Sequence, residues 1–320
     1  MTLTQLSYIV AVAQHKNFGA AAEASFVTQP TLSMQIQKLE ESLGVVIFDR
    51  SQQPIRATAV GELILNQARI VLSEAQKIRD LTSNERNEVQ GAISIGVIPT
   101  LSPYVVPLFI QRFINKYPKA QVTVEELQTQ QIVDRLKNDA LDVGLLVTPL
   151  HNASIVEHAL FYEPFFLYVS PKHPLAQEKR VREKDLSSKD VWLLTEGHCF
   201  RDQVINLCSD RRRSSLGSKS QLRFESGNLE TLKKMVDQST GYTLLPYLAA
   251  QEIQEGAKKR QLKEFHAPVP TREVSLVHNK LYKKRATVDA LVAEIRAAVP
   301  EDLVKLKQGR YHRVDMPPFD

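Results

Sequence analysis

Thr28-Gln29-Pro30-Thr31-Leu32-Ser33-Met34-Gln35-Ile36-Gln37-Lys38-Leu39-Glu40 is the stretch on which the fold of the first third turns. Thr28 can accept from the amides of a first helical turn. Pro30 costs that turn nothing, because an N–H there has no intrahelical acceptor. Leu32, Ile36 and Leu39 recur at helical spacing and mark a buried side of a helix that runs to about Ser42. Gly44 then offers a left-handed stop. The other side shows Gln29, Thr31, Ser33, Met34, Gln35 and Lys38. Amides can bond adenine edges in pairs, and hydroxyls can bond bases or phosphates, so this side suits a DNA duplex. The polar face of any small solvated helical domain has a similar composition, and the pattern alone leaves both readings open.

Upstream, Leu3, Leu6, Ile9, Val10 and Ala13 predict a helix over residues 4–15, and Asn17 can cap a second, short one from Phe18 to Ala24. Ser25-Phe26-Val27 makes a tight turn into the Thr28 helix, which completes a helix-turn-helix. Downstream, Phe48-Asp49-Arg50 and Ile55-Arg56-Ala57-Thr58 flank a polar turn. They predict a two-stranded wing that brings Arg50 and Arg56 near a DNA backbone or minor groove. Residues 59–86 hold no proline and glycine only at Gly61, so they predict a single helix about 40 Å long. Ile64, Val71 and Ile78 repeat every seven residues, with Ala68 and Ala75 four after the first two. That is a seam through which two copies could pair; a long helix packed on its own domain is the other reading.

At 320 residues the chain is too long for one ordinary core, and 43% hydrophobic with 24% charged residues suits globular units. No apolar run approaches the roughly 18 residues that span a bilayer. The opening MTLTQLSYIVAVAQHKNF has no basic n-region or small-residue cleavage site, so a cytoplasmic protein with no membrane partner is expected. Two cysteines exclude a disulfide scaffold and a Cys-only zinc site, and no metal or cofactor is expected. The net charge of +5 hints at a polyanion partner. Yet residues 1–88 carry eight Lys/Arg against nine Asp/Glu. The excess lies in Arg211-Arg212-Arg213, Lys258-Lys259-Arg260, Lys283-Lys284-Arg285 and the tail, so bulk charge does not mark the helix-turn-helix.

The order Phe18, Ala21-Ala22, Thr28-Gln29-Pro30-Thr31-Leu32-Ser33, Gln35 to Glu40, Leu43-Gly44, Phe48-Asp49-Arg50 and Thr58-Ala59-Val60-Gly61 resembles the N-terminal domain of LysR-type transcriptional regulators. Beyond a polar hinge from Asn84 to Gly91, strand-like and helical runs alternate: Ile93 to Val97, Leu101 to Tyr117, Val122 to Val124, Ile132 to Asn138, Val143 to Val147. This is a βαβαβ unit with a parallel sheet. A second α/β unit starts near Glu163, with strands at Phe165–Val169, Val191–Leu194 and Thr243–Pro246, and Val274–Val277 returns to the first. Two crossings make a two-lobed binding fold with a cleft. A periplasmic solute-binding protein would share it but needs a signal peptide. The LysR resemblance continues through Gly91 to Gly96, Asp142-Val143-Gly144 and Gly241 to Pro246.

The fold class expected is therefore an N-terminal all-α winged helix-turn-helix with a long dimerisation helix, followed by an α/β two-lobed, periplasmic-binding-protein-like regulatory domain. The divisions are 1–58 for the DNA-binding domain, 59–87 for the helix, 88–300 for the regulatory domain and 301–320 for a polar, poorly ordered tail. Lobe I takes about 91–163 and 268–300, lobe II about 164–267. The resemblance implies double-stranded promoter DNA and RNA polymerase as partners, a homo-oligomer that is a dimer of dimers, and Thr28, Gln29, Pro30, Thr31, Ser33, Gln35, Lys38, Arg50 and Arg56 at the DNA.

The two cysteines stand nine residues apart, at Cys199 and Cys208. In one helix their Cα atoms lie about 13 Å apart, whereas a disulfide needs about 4.4–6.8 Å. Oxidation would have to unwind the segment, which is a redox-biased bistable element. Glu196-Gly197-His198 precedes Cys199 in what reads as a strand-to-helix turn. A helix N-terminus flanked by His198 and Arg201 favours a low-pKa, reactive thiolate. Two buried cysteines acting as small hydrophobes remain the plainer alternative.

Gly197-His198-Cys199, Arg201-Asp202-Gln203 and Cys208 resemble the redox switch of peroxide-sensing LysR-type regulators. Gly96 to Thr100, Pro103-Tyr104, Glu126 to Gln130, Leu229 to Leu232 and Arg272 to Val274 extend the likeness. It implies Cys199 as the peroxidatic and Cys208 as the resolving cysteine. Thr100 and Thr129 would hold hydrogen peroxide, with His198, Asp202 and Arg272 orienting it or stabilising the thiolate. The basic Ser209–Gln221 segment, Arg223 where a His is expected, and the tail after Pro300 depart from that pattern. Two rivals stand beside it: a regulator answering to a small organic effector, and a thiol peroxidase.

Overall fold

Each helix of the first unit starts where a side chain can take up its orphan amides. In a computed structural model that describes residues 1–51, 54–84, 88–208, 227–253, 257–282, 284–305 and 309–315, one unit is built on Met1–Asn87 and a second on Glu88–Lys137 and Leu141–Asp320. Helix α1 (Leu3–His15) opens with a reciprocal cap between Thr2 and Gln5, and α2 (Phe18–Ala24) with Asn17 accepting from the Ala20 amide. Helix α3 (Gln29–Leu43) is capped by Thr28 and ends at Gly44 in the left-handed region, φ 68°. Leu6, Ile9, Ala21, Leu32, Ile36 and Leu39 close around Phe48. Strands β1 (Phe48–Asp49) and β2 (Arg56–Ala57) pair antiparallel as the wing. Gln52 and Gln53 of its turn lie outside the described residues.

A buried carboxylate holds the wing to the helices. Glu40 Oε1 accepts from the amides of Ile47 (2.7 Å) and Phe48 (3.2 Å), and Oε2 from Arg50 Nη2 (2.8 Å). The 26-residue helix α4 (Ala59–Asn84) carries the seven-residue repeat. Ala68 is buried in the unit's own core, and Ile64 and Val71 pack against it. Three of the repeat's five residues thus make contacts within the unit, where Leu65 and Ala68 belong to the same core as α1. Among its described side chains, Val60, Leu63, Ile70 and Ile78 are large apolar residues left exposed.

The second unit begins β3 (Gly91–Val97), α5 (Ser102–Lys116), β4 (Ala120–Glu126), α6 (Thr129–Lys137), β5 (Val143–Thr148). Its strands are parallel, β4 and β5 flanking β3. Asp142 takes the amide and hydroxyl of Ser94, both at 2.8 Å, and so helps pin β5 against β3. Next comes β6, a single strand from Ile155 to Val169, where a new unit was expected to start near Glu163. It runs through both lobes, since its first part pairs with β10 and its last residues pair with β8 and β9. The order continues β7 (Arg180–Val181), α7 (Cys199–Leu207), α8 (Leu229–Gln238), β8 (Tyr242–Pro246), α9 (Tyr247–Gln251), α10 (Ala257–Gln261), β9 (Leu262–Phe265), β10 (Val269–Asn279), α11 (Arg285–Ala298) and β11 (Tyr311–Arg313). Strand β10 returns antiparallel between β5 and β6, longer than the four residues expected.

Two expectations fail here. Val191–Leu194 makes no strand, only a bridge from Val191 to Tyr242, with the Trp192 amide on the Tyr242 carbonyl at 2.7 Å and its ring N–H on Ser239. The tail is not loose over its described part. Strand β11 pairs parallel with Val269–Thr271, and Val314 is buried. Much of the hinge (residues 85–87), the whole basic 209–221 segment and Arg223 lie outside the described residues.

The interior divides into two apolar clusters. One spans β3, β5, α5, α6 and α11; the other spans the far half of β6, α7, α8 and β8. No described helix is long and apolar enough to cross a membrane. Glu40→Ala strips acceptors from two buried amides and Arg50, and is expected to cost about 3 kcal/mol. Glu40→Gln, which keeps an acceptor, should cost less; urea unfolding of the full chain checks both.

Candidate functional site

Gly197 adopts φ +88°, a conformation that side chains resist, and a Cβ there would lie 2.7 Å from Gln128 Oε1. That close approach sets the start of α7 against the start of α6. His198 takes the N-cap position and is buried, and Cys199 is the first helical residue, 5% exposed. Thr129, the first residue of α6, places its hydroxyl where it favours the Cys199 thiolate. Thr129 Oγ1 is buried, yet no described residue forms a hydrogen bond of ordinary geometry with it. A buried hydroxyl without a partner is costly and invites a ligand.

Arg272 lies at the centre of this region and is fully buried. Its Nε and Nη2 reach Glu163 Oε2 at 2.9 and 2.7 Å. Nη1 donates to Thr100 Oγ1 (3.0 Å) and Nη2 to the Thr100 carbonyl (3.2 Å). Glu163 Oε1 accepts from the Leu248 amide at 2.8 Å. One ion pair therefore joins the turn after β3, both crossing strands and the start of α9. The guanidinium carbon sits 5.6 Å from the centre of the Phe200 ring, beside Cys199 in sequence. Glu163 was missed as a site residue. The signal was visible: one carboxylate inside the apolar run Phe161 to Val169.

The electrostatics correct the expected low-pKa thiol. Burial pushes the Cys199 thiol up; the Thr129 hydroxyl, the Arg272 charge and the Phe200 amide pull it down, while Asp202 adds to the rise. Arg201 gives no help, because Nη1 bonds the Leu194 carbonyl (3.0 Å) and Nη2 lies 3.8 Å from Glu196. Burial also lowers the His198 pKa, with Glu126 opposing it, so the ring next to Cys199 is neutral at pH 7. Arg272, brought in from β10, is the cation that matters. Half-buried Asp202 is held above the usual carboxylate range by burial, partly offset by Arg201.

Cys208 caps the other end of α7, with Sγ 3.4 Å from the Val204 carbonyl. Both cysteines are thiols. Cys199 packs into the first apolar cluster and Cys208 into the second, so each is held by a different core. A cavity of about 510 Å³ opens beside His198, lined also by Pro99, Glu126, Gln128 and Asn228. Among the described residues no cluster of three or more His, Cys, Asp or Glu could hold a metal.

In the first unit, Gln29, Pro30, Thr31 and Lys38 are exposed on α3, together with its cap Thr28, and Ser33 is partly so. Thr28 and Thr31 share a hydroxyl–hydroxyl bond of 2.8 Å. Gln35 accepts from Gln5 Nε2 at 3.2 Å, which ties its amide to α1. Arg50 is engaged by Glu40 and lies 5.2 Å above the Phe18 ring. Arg56 is exposed on β2.

Comparison with known proteins agrees with this anatomy. The bacterial regulatory helix-turn-helix proteins of the lysR family match residues 3–62, and the LysR substrate binding domain matches 86–300. The DNA-binding transcriptional dual regulator OxyR of Escherichia coli K12 is 34% identical over 97% of this chain and 100% of its own. A full-length OxyR mutant of Pseudomonas aeruginosa superposes with a TM-score of 0.73 at 35% identity, covering 93% of this chain and 99% of that one. A hydrogen peroxide-bound OxyR mutant of Corynebacterium glutamicum gives 0.60 at 27% identity, covering 96% and 98%. The chain therefore belongs to the LysR family of bacterial helix-turn-helix regulators, in the group of the OxyR-type hydrogen peroxide-inducible genes activators.

Proposed function

We propose that this chain senses hydrogen peroxide through Cys199 and transmits the signal to promoter DNA through its helix-turn-helix. One observation carries the reading: Cys199 and the orphan hydroxyl of Thr129 meet in a buried site beside Arg272, while Cys208 waits in a separate core. The Cys199 thiolate attacks one peroxide oxygen, the O–O bond breaks, and the departing hydroxide takes a proton to leave as water. The product is Cys199 sulfenic acid. Cys208, as thiolate, then attacks that sulfur; the S–S bond forms and hydroxide leaves, again as water.

Thr100 Oγ1 already accepts from Arg272, so its own proton is directed to an acceptor such as a peroxide oxygen. Thr129 supplies the second hydroxyl. Neutral His198 and Asp202 border the site as proton partners. Disulfide formation cannot leave α7 helical, because its ends are about 13 Å apart. The remodelled segment changes how regulatory domains pack within a dimer of dimers in the cytoplasm. That repositions α3, its cap Thr28 and the wing on the duplex and alters recruitment of RNA polymerase. Gln29, Thr31, Ser33 and Lys38 contact bases or phosphates; Gln35 and Arg50 would first exchange their contacts with Gln5 and Glu40. The cavity beside His198 exceeds what peroxide needs, which supports a second reading, a small organic effector in the same cleft. A thermal-shift screen that found a tight metabolite, with DNA binding indifferent to peroxide, would replace the first reading by the second. Stoichiometric rather than sustained peroxide loss separates the sensor from a thiol peroxidase.

Cys199→Ser is expected to bind promoter DNA with unchanged affinity and to give no peroxide response in transcription; retained induction would sink the mechanism. Because burial holds the thiol above its ordinary value, thiolate is the minor form at neutral pH. The rate of peroxide reaction should therefore climb from pH 6 into the alkaline range, and Arg272→Met should move that climb to higher pH, as stopped-flow measurements with the reduced protein can follow. Thr129→Val should slow the same step about 10-fold or more without moving the pH profile comparably.

A further inference from the structure

Gln203 stands one helical turn after Cys199 on the buried side of α7, completely shielded from water. Its amide nitrogen donates to the carbonyl of Val314 at 2.9 Å. Its carbonyl oxygen, equally buried, has no hydrogen-bond partner among the described residues. Val314 belongs to the carboxy-terminal segment, beyond residues 86–300 that match the family's regulatory domain. The segment is fixed from several sides. Strand β11 lies along Val269–Thr271, and the Val314 amide donates to the Thr271 carbonyl at 2.9 Å, one residue from Arg272. The Val314 side chain enters the core that holds Cys208. His312 Nε2 meets Glu183 at 3.1 Å and Arg313 meets Glu273 at 3.4 Å.

We propose that Gln203 is a positioning residue for disulfide closure, and that the carboxy-terminal strand clasps it to hold α7 wound until Cys199 has been oxidised. The inference rests on the peroxide-sensing reading above. Sulfenic acid formation needs only Cys199 and its neighbours. The second step needs α7 to come apart so that Cys208 sulfur can displace hydroxide from Cys199 sulfur, and Gln203 lies between the two. While α7 is wound, the Gln203 amide nitrogen donates to the tail. Once α7 opens, both ends of the amide reach water and the orphan oxygen gains a partner. The clasp therefore opposes opening by about one hydrogen bond, and the orphan oxygen offsets only part of that, which makes a breakable hold. By linkage, opening α7 must loosen the tail as much as the tail restrains α7.

Gln203→Met keeps the side chain's length and removes the bond; a chain lacking residues 309–320 removes the whole clasp. In rapid-mixing experiments with peroxide, sulfenic acid formation (measured with Cys208→Ser also present) should stay within about 2-fold of the parent. Disulfide closure should quicken roughly 5-fold in Gln203→Met and more in the shortened chain, the worth of one hydrogen bond and of several. The thiol–disulfide equilibrium should shift toward the disulfide in the same order. Unchanged or slower closure in folded Gln203→Met overturns the proposal. If neither variant folds, hydrogen exchange on the unaltered protein decides: amides of 311–314 should lose protection on oxidation, and equal protection in both redox states overturns the clasp. An unaltered protein that forms no disulfide with peroxide overturns the parent reading as well, and shows itself before any variant is made.

Discussion

A buried guanidinium with a buried carboxylate is the constraint around which the regulatory unit is organised. Arg272 and Glu163 sit on the two strands that pass between the lobes, and neither touches water. Taking both charges out of solvent gains little net stability, but leaving either alone would cost about 3–5 kcal/mol. The pair therefore specifies geometry more than it adds stability. Every register in which β6 and β10 fail to bring these residues together is penalised. Thr100 and the Leu248 amide are recruited to complete the bonding, and the turn after β3 and the start of α9 are located by the same pair. Cys199 is then added to a frame that already holds a cation. The Arg272 charge pulls the Cys199 thiol down, but burial outweighs it.

The placement of the cysteines in separate cores follows from the same two-lobed build. Helix α7 spans the boundary, its first residue packed with β3 and α6 and its last with β8 and α8. A disulfide would have to draw one sulfur out of apolar surroundings. Burial of both sulfurs therefore opposes closure. A short helix serves here: nine residues keep the sulfurs apart but present few hydrogen bonds to break.

In the first unit a single carboxylate has a comparable office. Glu40 ends the buried side of α3 and takes two amides and one guanidinium from the wing. Helix α3 and the wing are thus tied together by one side chain. The cost is that Arg50 is already committed within the unit.

Local rules determined much of this protein from sequence alone. Thr28, Pro30 and Gly44 bound α3 because caps and stops depend on the backbone of a few neighbouring residues, and alternating apolar runs announced the strands of the first lobe for the same reason. The likeness to LysR-type regulators was legible in ordered motifs, and the Cys199–Cys208 spacing already implied that a helix would have to open. Tertiary structure decided the rest. It packed Ile64, Ala68 and Val71 against the unit's own core, turned Arg201 away from Cys199, brought Arg272 and Thr129, which the resemblance had already named, up to that thiol, and laid the expected loose tail along β10 with Val314 against Gln203. These outcomes depend on which distant residues converge and on how deeply they are buried, and a charge, a hydroxyl or an amide acquires its energy only from the partners and the solvent left around it.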